Sequence, residues 1–163
     1  MNYITITEQD MLNGDGIRVV LWVSGCELHC KNCHNPETWD EESGQLFTNQ
    51  TLLELEKTIN HDYISGITFS GGHPLEDYNI YEITYISKYL KEKYPSKTQW
   101  LYTGYVWDQV KNLEIMQYLD VLVDGSYMDE LRDISLKWRG SSNQRVIDVQ
   151  ASLKTGKVVL WCD

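Results

Sequence analysis

Cys26, Cys30 and Cys33 fall within eight residues, and they follow directly on the apolar run Ile17–Val23 (IRVVLWV). A short, β-branched run of this kind reads as a buried strand. Ser24-Gly25-Cys26 then puts all three thiols on the loop that leaves it. The fourth cysteine, Cys162, is next to the end of the sequence. A disulfide framework spreads its cysteines along a small chain, whereas a tight C-x3-C-x2-C group suits a metal or iron–sulfur site in a reducing compartment. Thiolates are soft ligands for zinc or for iron–sulfur clusters. Three ligands on a four-iron cluster leave one iron open, and an open position is what chemistry needs; closed four-ligand sites tend to be structural.

The rest of the chain alternates strand and helix patterns. Asn49 reads as an N-cap, followed by the helical stripe Leu52, Leu55 and Ile59. Residues 64–69 form the next strand, which ends in Ser70-Gly71-Gly72-His73-Pro74. Ile80, Ile83, Ile86 and Leu90 give a second stripe, closed by Pro95. Residues 99–102 read as a strand, Thr103-Gly104-Tyr105 as a turn, and Val106, Val110 and Leu113 as a short helix. Residues 120–123 precede Asp124-Gly125. Residues 145–149 and 158–161 are two further strands, joined by a segment containing Lys154-Thr155-Gly156-Lys157. Strand–helix alternation predicts an α/β fold with a largely parallel sheet. In such sheets the site lies on loops at the C-terminal ends of the strands. The cysteine loop and the Gly-Gly segment are both such loops, so they are expected to meet at one rim.

Composition narrows the function. A length of 163 residues suits one domain, 1–163. With 14 Lys and Arg against 24 Asp and Glu, the formal charge is −10, which leaves no basic face for a nucleic-acid partner. No apolar run approaches the roughly 18 residues that span a bilayer, so no membrane partner is expected. Residues 1–16 hold no Lys or Arg and lead into no long apolar stretch, so the chain reads as lacking a secretory leader and as cytoplasmic. One alternative is a zinc-stabilised, non-enzymatic binding module using Cys26, Cys30, Cys33 and either His34 or Cys162, although zinc loops favour paired C-x2-C units and no second pair occurs here.

The C-x3-C-x2-C loop after the strand resembles the signature of radical S-adenosylmethionine enzymes. That resemblance implies an abbreviated, open parallel β/α barrel in which Cys26, Cys30 and Cys33 hold one [4Fe–4S] cluster. It implies that the open iron chelates S-adenosylmethionine, that reduction cleaves the cofactor, and that the resulting 5′-deoxyadenosyl radical abstracts a hydrogen atom. Further motifs narrow the resemblance. They are Asn13-Gly14-Asp15-Gly16-Ile17-Arg18, Cys33-His34-Asn35-Pro36-Glu37-Thr38-Trp39, Ser70-Gly71-Gly72, Tyr102-Thr103-Gly104-Tyr105, residues 120–125 and Trp138-Arg139-Gly140-Ser141-Ser142-Asn143-Gln144-Arg145. Over residues 13–149 they resemble the activating proteins of anaerobic (class III) ribonucleoside-triphosphate reductases. This implies a protein substrate, the reductase, in which one glycine becomes a glycyl radical, and an electron donor such as a flavodoxin. Another radical S-adenosylmethionine enzyme, acting on a different glycyl-radical partner or a small molecule, is the nearer rival.

The resemblance also implies which residues meet S-adenosylmethionine: Asn32, Cys33 and His34 on the cysteine loop, and Ser70, Gly71, Gly72 and His73 after the next strand. Many family members carry an acid where this chain has His73, and an aromatic where it has Asn32. Glycines there let the backbone approach a ligand closely. Arg139 or Arg145 is a candidate for a carboxylate, and Asp124 for the rim of the site; both regions read equally as ordinary loops. Cys162 reads as a surface thiol, since a fourth thiolate would block the open iron. No general acid or base beyond the cluster ligands is expected, because the cofactor carries the chemistry.

Overall fold

The computed structural model of the chain describes residues 1–162. Its strands are β1 (Asn2–Asp10), β2 (Ile17–Val23), β3 (Gln45–Leu46), β4 (Ile64–Gly71), β5 (Thr98–Tyr102), β6 (Val121–Asp124), β7 (Arg145–Asp148) and β8 (Leu160–Cys162). Its helices are α1 (Asn49–Ile59), α2 (Asp77–Lys93), α3 (Trp107–Val110) and α4 (Val149–Thr155). The strands form one sheet in the order β3-β1-β2-β4-β5-β6-β7-β8.

β2, β4, β5 and β6 are parallel neighbours, whereas β1, β3, β7 and β8 join antiparallel at the two sides. The α/β class and the open sheet expected from the sequence are present, but the sheet is mixed rather than parallel throughout, and it is open between its edge strands β3 and β8. The reason lies in the connections. Parallel neighbours need a long crossover, which α1, α2 and α3 with their flanking loops supply. The link from β1 to β2 is the short segment 11–16, and β7 is joined to β8 through the seven-residue α4; both are short enough for antiparallel pairing.

β1 was not legible as a strand. Of its nine residues only Tyr3 is buried, so it carries little of the apolar signal of an inner strand. α4 was also missed. Asp148 caps it by accepting from the Ala151 N–H (2.9 Å), and Gly156 ends it in the left-handed region at φ 71°. The start of α1 shifts by one residue: Thr48, not Asn49, is the cap. The Thr48 hydroxyl accepts from the Thr51 N–H, and the Thr51 hydroxyl accepts from the Thr48 N–H, a reciprocal capping box.

Alternation along the inner strands divides the two faces. Val19, Leu21 and Val23 of β2, with Ile67 and Phe69 of β4, join Leu55, Ile83 and Ile86 of the helices in the main core. The opposite face holds a smaller cluster of Trp100, Val121, Val123 and Val146, against which Tyr102, Trp138 and Cys162 pack. Arg18 lies between β2, β4 and β5 and is fully buried. Its guanidinium donates to Thr68 Oγ1, Thr98 Oγ1, and the carbonyls of Asp15, Ile67 and Thr98, at 2.8–3.0 Å, and lies 5.3 Å from the Trp100 ring centre. Among the described residues, no helix is long and apolar enough to cross a membrane.

Candidate functional site

The register of β2 on β4 runs to Trp22 opposite Ser70 and Val23 opposite Gly71, so the two strands deliver their next residues side by side. The pairing continues into both loops. Gly72 N–H donates to the Val23 carbonyl (2.8 Å), and His73 N–H donates to the Gly25 carbonyl (2.7 Å). A side chain at Gly72 would bring its Cβ to 2.4 Å from the Gly25 oxygen, so this approach admits only glycine. The start of the cysteine loop is held from its other side, where Gly25 N–H donates to the Thr38 carbonyl and Cys26 N–H to that of Trp39.

Within the loop, His29 and Asn32 adopt positive φ, 45° and 55°. Left-handed residues reverse the chain locally, and Asn accepts that conformation more readily than most. Two reversals within eight residues turn Cys26, Cys30 and Cys33 toward one cavity of about 440 Å³. Its walls also include His34, Ser70, Gly71, Gly72, His73 and Thr103. All three thiols are half-buried and none is in a disulfide. Burial pushes the Cys26 thiol pKa up, against the pull of the Leu28 and His29 N–H groups. Burial likewise raises Cys30, helped by neighbouring Cys33 and opposed by the Tyr127 N–H. The Asn35 N–H donates to Cys33 Sγ at 3.4 Å. Such donors favour thiolate, and a bound metal displaces the thiol proton outright.

Among the described residues, no three His, Cys, Asp or Glu side chains stand close enough to share a single metal ion. A four-iron cluster asks for something else, because each thiolate takes its own iron and the sulfurs need only face one space. Three reduced thiols in one cavity wall, with an N–H donor on Cys33 Sγ, fit that group.

His73 is placed differently from the expected ligand contact. Its ring is 1% exposed, and both nitrogens are used by the protein. Nδ1 lies 2.9 Å from Glu76 Oε1, and Nε2 lies 2.7 Å from Thr103 Oγ1. A carboxylate only accepts, so Nδ1 carries the proton, and Nε2 accepts from the threonine hydroxyl. Burial lowers the ring's pKa despite Glu76, so the pair is a hydrogen bond to a neutral imidazole rather than an ion pair. The Thr103 oxygen accepts in turn from the Tyr105 N–H (3.1 Å), and Glu76 Oε1 from the Glu27 N–H (3.2 Å). Asn79 adds a second tie by donating to the carbonyls of Ser24 and His73. Glu76 also stands at the N-cap of α2 without capping it, its carboxylate being engaged by the loops.

The other candidates divide between the cavity wall and the scaffold. Asn32 does not line the cavity: its side chain is exposed and donates to Asp129 Oδ2 at 2.8 Å, which with Tyr127 holds the Asp129 carboxyl below its usual range. His34 does line it, its ring 5.5 Å from that of Tyr127. Asp124 and Arg145 pair with each other through Arg145 Nε and Nη2, and Asp124 also accepts from the Trp107 N–H at the start of α3. Arg145 is therefore committed to structure, whereas Arg139 lines the cavity. Cys162 is half-buried on β8 beside the Trp100 cluster, not a surface thiol. The sequence reading missed Glu76 and the linking role of Thr103. The one available signal was an acid three residues after His73, at the head of a helical stripe.

Residues 12–147 match the family model described as "4Fe-4S single cluster domain", the class of protein to which the thiol loop points. Curated relatives cover most of the chain. An anaerobic ribonucleoside-triphosphate reductase-activating protein of Enterobacteria phage T4 is 44% identical over 146 residues, 90% of this chain and 93% of the relative. Proteins of the same name from Escherichia coli K12 and Haemophilus influenzae are 39% and 36% identical, over 90% and 88% of this chain and 97% and 96% of their own. The chain belongs to the anaerobic ribonucleoside-triphosphate reductase-activating protein family.

Proposed function

We propose that this protein is a radical S-adenosylmethionine enzyme that activates an anaerobic ribonucleoside-triphosphate reductase. The observation that carries the reading is the convergence of the three thiols and the Gly-Gly loop on one cavity, at the C-terminal ends of adjacent parallel strands. The relatives' names supply the partner, the reductase. With one electron from a donor, the cluster and S-adenosylmethionine would together supply hydrogen-atom abstraction from one glycine of the reductase, leaving a glycyl radical there and releasing methionine and 5′-deoxyadenosine.

The chain's own residues bind and orient. Cys26, Cys30 and Cys33 would hold the cluster. The backbone of Ser70, Gly71 and Gly72 would meet the cofactor's polar end, with Cys33 and His34 beside it; Asn32 and the His73 side chain would not. A cavity of about 440 Å³ is within the range for a small cofactor. Residues 1–163 act as one domain in this reading, supported by a single sheet that runs from β3 to β8. Helical cores gathered on one face of four adjacent parallel strands support a partial barrel. A flavodoxin-like protein would serve as electron donor, and a thiolate-held cluster belongs in a reducing compartment such as the cytoplasm.

The test is anaerobic reconstitution with iron and sulfide, reduction, and electron paramagnetic resonance with and without S-adenosylmethionine. A reduced [4Fe–4S] signal that changes with the cofactor, and a glycyl radical on added reductase, are the expected results. A colourless protein that binds zinc and no cluster overturns the reading. A cluster that produces no glycyl radical on the reductase overturns the choice of partner.

A further inference from the structure

Three loops leave three adjacent parallel strands, and one buried imidazole bonds them together. The cysteine loop follows β2, the Gly-Gly loop follows β4, and Thr103-Gly104-Tyr105 follows β5. His73 belongs to the second loop. It reaches the third through Nε2 and Thr103 Oγ1, and the first through Nδ1, Glu76 Oε1 and the Glu27 N–H. The last donor is the N–H of Glu27, so the chain of bonds ends one residue after the thiol-bearing Cys26.

Each group in this chain has its partner. Glu76 Oε1 accepts twice, His73 donates once and accepts once, and the Thr103 oxygen donates once and accepts from Tyr105 N–H. Glu76 is 7% exposed and Thr103 5%. A satisfied, buried network of this kind holds one arrangement, because any slip leaves a polar group unpaired in a low-dielectric setting. Tyr105 packs edge-on to the imidazole at 4.4 Å and fixes its plane.

We propose that His73, Glu76 and Thr103 are positioning residues that set the cysteine loop against the Gly-Gly loop, so that the thiols and the backbone groups flanking the cavity are in place before any ligand arrives. The role rests on the proposed function only for its consequence, cofactor binding; the coupling itself is a property of the protein alone. His73 acts through the loops, because both of its ring nitrogens are engaged within the protein.

The first measurement is hydrogen exchange by mass spectrometry on the cluster-free protein under reducing, anaerobic conditions. Thr103→Val removes the hydroxyl at nearly constant volume, whereas Thr103→Ser keeps it. Thr103→Val is expected to speed exchange in peptides covering residues 25–33 and 70–76 by roughly five- to tenfold, the size of one net hydrogen bond. Thr103→Ser should exchange like the parent. Parent-like exchange in Thr103→Val overturns the coupling, and so does an equal rise over β1 and α1, which would report global loosening. If Thr103→Val does not fold, Glu76→Gln and Glu76→Leu form a second pair: Gln still accepts at its carbonyl and keeps the protection, and Leu loses it. On reconstituted protein, Thr103→Val should raise the S-adenosylmethionine concentration that half-saturates the paramagnetic change, and Thr103→Ser should restore it. An unchanged half-saturation in a variant with loosened loops overturns the positioning role. Intact coupling in a protein that yields no glycyl radical refutes the proposed function and leaves the coupling standing.

Discussion

Replacing Arg18 with Met should lower the free energy of unfolding by about 2–5 kcal/mol. The guanidinium is fully buried and uses all five of its N–H groups on β4, β5 and the Asp15 carbonyl just before β2. Hydrogen bonds from a charged donor contribute about 1.5–3 kcal/mol each. Against them stands the desolvation of a cation with no carboxylate among its partners, a cost of several kcal/mol. The five bonds outweigh that cost, and Met leaves their acceptors short of donors. For a chain of this size the loss corresponds to a fall in melting temperature of roughly 5–15 °C. Arg18→Lys should be no better, because an ammonium offers three donors in place of five and keeps the buried charge. Burial already lowers the Arg18 pKa from its ordinary value to about 10, and it must lower that of a lysine in the same place. The unfolded Lys variant then binds more protons than the folded one as pH approaches the ordinary lysine pKa of about 10.4, so its stability should rise with pH up to that value. The assay is urea unfolding of the cluster-free protein, parent and both variants, from pH 7 to 10. A Met variant within about 0.5 kcal/mol of the parent, the scatter of ordinary surface changes, would refute the reasoning. So would a Lys variant as stable as the parent at pH 7.

Three further outcomes are expected. Alanine at Cys26, Cys30 or Cys33 should abolish the brown colour and the bound iron of reconstituted protein, whereas Cys162→Ala should retain both, as read by visible absorption and iron content. Gly72→Ala should cost about 1–3 kcal/mol by overpacking, because its Cβ meets the Gly25 and Thr38 carbonyl oxygens at 2.4 and 2.9 Å; the same unfolding assay reads it. His73 should titrate below its ordinary value of 6.5, because burial outweighs the Glu76 hydrogen bond. The unfolded chain then binds more protons than the folded one, so this contribution is complete above pH 6.5 and is lost as pH falls toward the folded pKa. Ring-proton nuclear magnetic resonance across pH 4–8 checks it, and a His73 pKa at or above 6.5 contradicts it.

Local chemistry carried much of this protein in its sequence. The run Ile17–Val23 and the C-x3-C-x2-C group each act within a few residues, so the strand, the loop that leaves it and the thiol-rich character of that loop were legible without coordinates. The stripes of α1 and α2 were legible for the same reason. Long-range pairing was not. β1 shows little apolar signal because Tyr3 alone among its residues is buried, and the antiparallel pairings of β1 with β2 and of β7 with β8 depend on connection lengths that periodicity does not report. Asp124 and Arg145 read as candidates for the site until the register of β6 on β7 set them opposite each other. Asn32 left the cavity because its positive φ and its bond to Asp129, 97 residues away, turn it outward. His73 read as a ligand contact by position in the motif. Only the tertiary structure, by bringing Thr103 thirty residues back to it and Glu27 to Glu76, used both of its nitrogens and made it a link between loops. A sequence determines what each residue can donate, accept or bury; which of those capacities remain for a ligand depends on neighbours that only folding supplies.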